Sequence, residues 1–159
     1  MHTSAPTATI LIRLMVGGIF LSEGIQKFLY PEQLGAGRFE RIGIPAPELM
    51  GPLVAGAEVF FGILILLGLF TRLGAIAVLV IMAVALFTTK IPILLGQDFT
   101  GFHVRELSRY GLTSMLHESR NDLCMVFGSM FLLLQGAGRC SLDAMLARKP
   151  RTSANSTPA

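Results

Sequence analysis

Leu49–Phe70 reads LMGPLVAGAEVFFGILILLGLF, an apolar run that carries a single charge, Glu58. At about 1.5 Å per residue a helix of this length crosses a hydrocarbon layer of about 30 Å. A carboxylate near the middle of such a helix costs several kcal/mol unless it is paired, protonated or turned toward a cavity. Gly51, Ala55, Glu58 and Gly62 fall at helical spacing on one face. Small residues on that face let a neighbouring helix approach closely, so Glu58 is expected to point at other helices and away from lipid. Two readings of it stay open: an ion pair that pins helices together, or a group that handles substrate or protons.

Working outward, the composition agrees with a membrane protein. Of 159 residues, 52% are hydrophobic and 14% charged, against about 25% charged in soluble domains. The other apolar blocks are Thr9–Leu29, Leu73–Leu95 and a shorter one from Arg120 to Gly136. The fold class expected is all-α, a four-transmembrane-helix bundle. The first block is read as a retained helix and not as a cleaved signal, because Arg13, Glu23 and Lys27 punctuate it and no small-residue cleavage pattern follows. The domain division is a membrane domain over residues 1–146 and a basic tail over 147–159, rich in Ser, Thr and Pro and expected to be disordered. The net charge of +3 forms no single patch interleaved with aromatics, which argues against nucleic acid as a partner.

Only Thr71 and Arg72 separate the second and third blocks, which predicts a tight antiparallel hairpin. Pro31 ends the first block, and the segment after it places Leu34, Phe39 and Ile42 at near-helical spacing, as a short interfacial helix or simple loop packing would. The stretch Gly96–Ser119 is read as a long loop that, with the first loop, covers one mouth of the bundle. Lys90 and Pro92 interrupt the third block near its end. Ser141 is placed to cap a brief helix, Leu142–Leu146.

Four spans put both termini on one side of the membrane. Arg13, Arg72, Arg139, Arg148, Lys149 and Arg151 lie there against Asp143, and the dense cluster after residue 147 assigns that side to the cytoplasm. Each of the four helices then brings charge to the opposite, outer half. At 1.5 Å per residue Glu23 lies about 9 Å below the outer end of its helix and Glu58 about 14 Å down. The intramembrane polar site is therefore Glu23, Lys27, Glu58, Lys90, Arg120 and Asp122. Glu23 and Lys27 stand four apart with the acid first, the favourable order for a helical ion pair. Pairing among the six satisfies the desolvation cost as a structural network; the same residues also make a polar pocket for a small ligand or proton relay.

Redox and metal motifs are scarce. Cys124 and Cys140, if on one helix, lie about 24 Å apart, beyond disulfide reach. His117-Glu118 has no second His on its helical face, so it is not a zinc signature, and no metal site is expected. Haem, flavin and iron–sulfur motifs are absent, so no cofactor is identifiable; quinone is compatible.

Several segments together resemble the DoxX-like membrane proteins. They are Arg13-Leu14, Ile19-Phe20-Leu21, Gly24-Ile25-Gln26-Lys27-Phe28, Gly43-Ile44-Pro45-Ala46-Pro47-Glu48-Leu49, Glu58 and Leu67-Gly68-Leu69-Phe70-Thr71-Arg72-Leu73. Gly136-Ala137-Gly138-Arg139-Cys140-Ser141-Leu142-Asp143 closes the series, with Cys140 where the family usually has an aromatic. The resemblance implies a four-helix bundle in the bacterial plasma (inner) membrane. It implies a membrane subunit or accessory of a quinone- or thiol/sulfur-linked redox system, with the lipid bilayer and redox partner proteins or a homo-oligomer as partners. A non-catalytic scaffold or assembly factor is the alternative, and a small-solute carrier ranks third. Whether the chain is itself an enzyme does not follow from either source.

Overall fold

A computed structural model describes residues 7–147. Arg148, Lys149, Arg151 and the tail that follows lie outside the described residues. The chain folds into helices α1 (Thr9–Leu29), α2 (Pro31–Leu34), α3 (Ala36–Arg41), α4 (Pro47–Leu67) and α5 (Thr71–Ala85). After a π-helical segment, Leu86–Lys90, come α6 (Ile91–Leu95), α7 (Leu112–Gln135) and α8 (Leu142–Ala147). Among the described residues the β pairing is confined to one bridge, Phe99 to Phe102.

Among the described residues three helices are long and apolar enough to cross a membrane: Thr9–Leu29, Pro47–Leu67 and the composite Thr71–Leu95. The expected fourth, α7, has the length but a polar first half. It starts at Leu112 and not at Arg120, so the third loop ends at Gly111, and Leu112 and Leu116 belong to the helix. Charge had marked the expected boundary, but a helix can run on through charged turns where a polar cavity or the interface receives them.

Close backbone approach joins α1 to α4. A Cβ added to Gly24 would fall 2.7 Å from the Ala55 carbonyl oxygen, and one on Gly62 would fall 2.8 Å from the Leu21 nitrogen. On α7, Gly128 lets Val16 of α1 come equally near. Gly18, by contrast, faces open space. The predicted face of α4, Gly51, Ala55, Glu58 and Gly62, is buried as a unit, and Ile65 continues it. Val16, Phe20, Ile65, Ala75, Val78, Met82, Met125 and Leu132 fill the centre between α1, α4, α5 and α7.

The hairpin turn falls earlier than expected, over Gly68, Leu69 and Phe70, with Thr71 and Arg72 already in α5. Gly68 takes a left-handed conformation (φ 67°) and stops α4 at Leu67, with Leu69 N–H bonded back to the Leu64 carbonyl at 3.0 Å. The Asp143 carboxylate then accepts the Phe70 and Thr71 N–H groups at 3.0 and 3.2 Å, capping α5 from α8's first turn. Ser141 in turn accepts the Ala144 N–H at 3.1 Å, the cap expected of it.

Arg13 binds this end together. Its guanidinium is buried and donates to the carbonyls of Ile65 and Leu66 at the end of α4, at 2.9 and 2.5 Å. It also donates to Ala137 and Cys140 in the turn after α7, at 3.3 and 2.5 Å. The last carbonyls of a helix lack intrahelical donors, so a guanidinium with five N–H groups is a suitable cap for two chain ends at once. Sequence reading gave Arg13 no role beyond topology.

Candidate functional site

At the other end of the bundle, the loop end, residues 30–46 and 96–111 fold over the helices. His103 N–H donates to the Ile42 carbonyl at 3.1 Å, linking the two loops. Phe99 and Phe102 of the longer loop rest edge-on against Phe87, with ring centres 5.8 and 6.1 Å away. Helix α3 packs on α4 where Gly51 meets Ala36. Phe39 of α3 is buried, as its helical spacing predicted.

Beneath this cover lies a cavity of about 380 Å³ between α1, α3, α4, α5 and α7. Ile19, Phe20, Val54, Val80, Ile81 and Met125 give it an apolar wall. Its polar lining comes from Glu23, Lys27, Arg38, Glu58, Thr88, Thr89, Asn121 and Asp122.

Glu58 sits at the centre of that lining, 2% exposed. Lys27 Nζ donates to Glu58 Oε2 at 2.6 Å, the closest side-chain ion pair among the described residues. Glu23, half-exposed on the preceding turn of α1, stands 3.6 Å from the same ammonium. Lys27 thus bridges two carboxylates. On the opposite wall Asp122 lies 3.2 Å from Lys90, which is not itself part of the lining. The angle of that contact is not that of a hydrogen bond, so Asp122 Oδ2 is a buried acceptor with no hydrogen-bond donor among the described residues.

The π segment explains how Lys90 gets there. Ile91 N–H bonds to the Leu86 carbonyl, five residues back, which adds a residue to the turn. Thr88 and Thr89 hydroxyls bond back to the Val84 and Ala85 carbonyls at 2.9 and 2.6 Å, and Pro92 lacks the N–H a regular turn would use. Such π-bulges concentrate at functional sites because they re-aim side chains without ending the helix. Here the widened turn brings Thr88 and Thr89 onto the cavity and Lys90 against Asp122.

Four of the six site residues expected from sequence therefore line one cavity, Glu23, Lys27, Glu58 and Asp122, and Lys90 stands behind that lining through its pair with Asp122. Arg120 does neither. It is exposed and bonds to the His117 ring at 2.8 Å. Arg120 and Asp122 are two residues apart on a helix, about 200° around its axis, so both cannot face one cavity. Arg38, Thr88, Thr89 and Asn121 were missed. The signal for Arg38 was its place on the short amphipathic helix containing Phe39. For the threonines it was adjacency to Lys90-Ile91-Pro92.

The two cysteines are free and exposed, and Cys140 lies beyond the end of α7, so they do not share a helix. His103 Nδ1 lies 2.8 Å from Asp98 Oδ2. That contact and the Val104 N–H hold the Asp98 carboxyl below the usual carboxylate range, the His103 bond contributing most.

The sequence matches the DoxX family over residues 8–91. This chain belongs to the DoxX family. The matched region runs from α1 through the π segment and so contains Glu23, Lys27, Glu58 and Lys90, whereas Asp122 lies beyond it. The chain is also 46% identical over 149 residues to the uncharacterized membrane protein Rv3486 of Mycobacterium tuberculosis, covering 94% of this chain and 87% of that protein. No solved structure matches significantly.

Proposed function

We propose that this DoxX protein is a membrane subunit or accessory of a quinone- or thiol/sulfur-linked redox system, and that its loop-end cavity holds the head of a membrane amphiphile. The observation that carries the reading is Lys27–Glu58, a buried ion pair set in the polar part of a cavity whose remaining walls are apolar. A quinone suits that combination. Its carbonyl oxygens accept hydrogen bonds, Lys27 offers donors, Glu58 exchanges a proton, and the apolar wall receives ring and tail. In this reading α7 is the fourth span, the cavity faces outward and both termini are cytoplasmic, in the bacterial inner membrane.

A saturable titration of the protein in nanodiscs with short-chain ubiquinone and menaquinone analogues tests it. Lys27→Met is expected to weaken binding at least about tenfold, ~1.4 kcal/mol, while the protein stays folded. A folded wild-type protein with no saturable binding would contradict the proposal.

One observation favours the scaffold reading instead. Glu58 and Asp122 each have a cation already, at 2.6 and 3.2 Å, so the network needs no ligand for its stability.

A further inference from the structure

A second cavity, about 550 Å³, opens at the loop end between α3, the π segment and the loop over 96–111. It shares Arg38, Ile42 and Thr89 with the inner cavity, so the two adjoin. Its charged lining is Arg38, Arg41, Lys90 and Arg105 against Glu106 and Glu118, with His103 beside them.

Half of these charges are already neutralised. Lys90 is paired with Asp122 and Arg105 with Glu118, at 3.2 and 3.5 Å. His103 is engaged by Asp98. Arg41 and Arg38 differ. Arg41 donates to the Glu32 and Gln33 carbonyls at 2.9 and 3.1 Å, which are neutral acceptors and leave its charge uncompensated. Arg38 has no carboxylate at ion-pair distance and no side-chain hydrogen bond among the described residues. The two stand three apart on α3 and so share a face. Glu106 is the one lining carboxylate without such a partner among the described residues, and Arg38 also feels Glu58 across the adjoining cavity, beyond ion-pair distance.

We infer that this vestibule binds a phosphate-type anionic group, with Arg38 as its bidentate ligand and Arg41 as the supporting charge. A guanidinium offers two parallel N–H donors that match two oxygens of a phosphate, and an unpaired one on a cavity wall is placed to use them. Free phosphate and the phosphodiester of an anionic lipid both present that chemistry, and the cavity's place at the bundle mouth is accessible to both. The inference goes beyond the quinone reading and does not need it.

The test uses the full chain in two arms. Inorganic phosphate is titrated calorimetrically into protein in phospholipid-free detergent. Separately, native mass spectrometry scores the lipid retained from nanodiscs of equal phosphatidylglycerol and phosphatidylcholine. Saturable phosphate binding identifies the free ion as the ligand, and preferential retention of phosphatidylglycerol identifies the lipid; either supports the site. Arg38→Gln should then lower affinity or retention about tenfold or more, with Arg38→Lys in between, whereas Arg105→Gln changes it by less than about threefold. If Arg38→Gln does not fold, Arg41→Gln serves, with an expected loss of about threefold or more. Wild-type protein that shows neither phosphate binding nor a preference for the anionic lipid overturns the site, as does a folded Arg38→Gln, or failing that Arg41→Gln, that binds as wild type does. Lys27→Met separates this from the quinone reading, because phosphate binding should survive it within about twofold.

Discussion

Replacing Arg13 by Met should loosen the hairpin end of the bundle and leave the loop-end cavity in place. The guanidinium makes four hydrogen bonds, to the carbonyls of Ile65, Leu66, Ala137 and Cys140. Interhelical hydrogen bonds in membrane proteins are worth about 0.6 kcal/mol on average and up to about 1.7. Four of them give roughly 2–7 kcal/mol, and Met keeps the packing of the stem while abandoning every donor. We expect a loss of about 3–5 kcal/mol, since buried carbonyls lose a charged partner that lipid cannot replace. Reversible unfolding in mixed detergent micelles measures this. Arg13→Lys should recover only part of the loss, because one ammonium on a flexible stem cannot reach carbonyls on two separate chain ends in the same fork. Arg13→Met within about 0.5 kcal/mol of wild type would refute the reasoning, since that is the scale of an ordinary surface change.

Other predictions follow from packing and from the loop tie. Gly24→Leu should separate α1 from α4, because even a Cβ there falls 2.7 Å from the Ala55 carbonyl, while Gly18→Ala, facing open space, should leave the melting temperature unchanged. The Asp98 carboxyl is depressed, so the stability it lends the loop is present above the ordinary carboxylate pKa of about 4 and is lost as pH falls through its lower folded value. Hydrogen exchange at Val104, whose N–H donates to Asp98 Oδ1 at 2.8 Å, should accelerate over that descent. Asp98→Asn should abolish the pH dependence.

What could be read from the sequence was what local spacing decides. The face of α4 bearing Glu58, the extent of α1 and the break near Lys90 follow from helical periodicity, Pro31 and Pro92. That Glu58 would reach a base among Lys27, Lys90 and Arg120 was expected on energetic grounds, since a carboxylate at depth is driven toward a cation; that the base is Lys27 is read from the structure. Arg13 was beyond reach because its acceptors at Ala137 and Cys140 lie more than a hundred residues away along the chain, and backbone carbonyls leave no mark in a sequence. Arg120 was misplaced because charge content was counted and helical phase was not. Its neighbour Asp122 faces the cavity, and two residues of helix turn Arg120 away from it. Arg38 was hidden for a related reason: its role depends on where a short loop helix folds back, which only tertiary packing at Phe39 and Gly51 determines.

Whether Lys27–Glu58 is a ligand site or only a brace is decided by a double substitution. Lys27→Met or Glu58→Met alone strands the partner charge at depth and should cost about 3–5 kcal/mol. The double variant, Lys27→Met with Glu58→Met, removes both charges and should regain most of that stability, as apolar replacements of buried pairs commonly do. Titration of this double variant with the short-chain quinone analogues is the most direct measurement. The account predicts a folded, stable protein whose saturable binding is weakened at least about tenfold. Wild-type affinity in that stable double variant would contradict it and leave the pair as a structural brace.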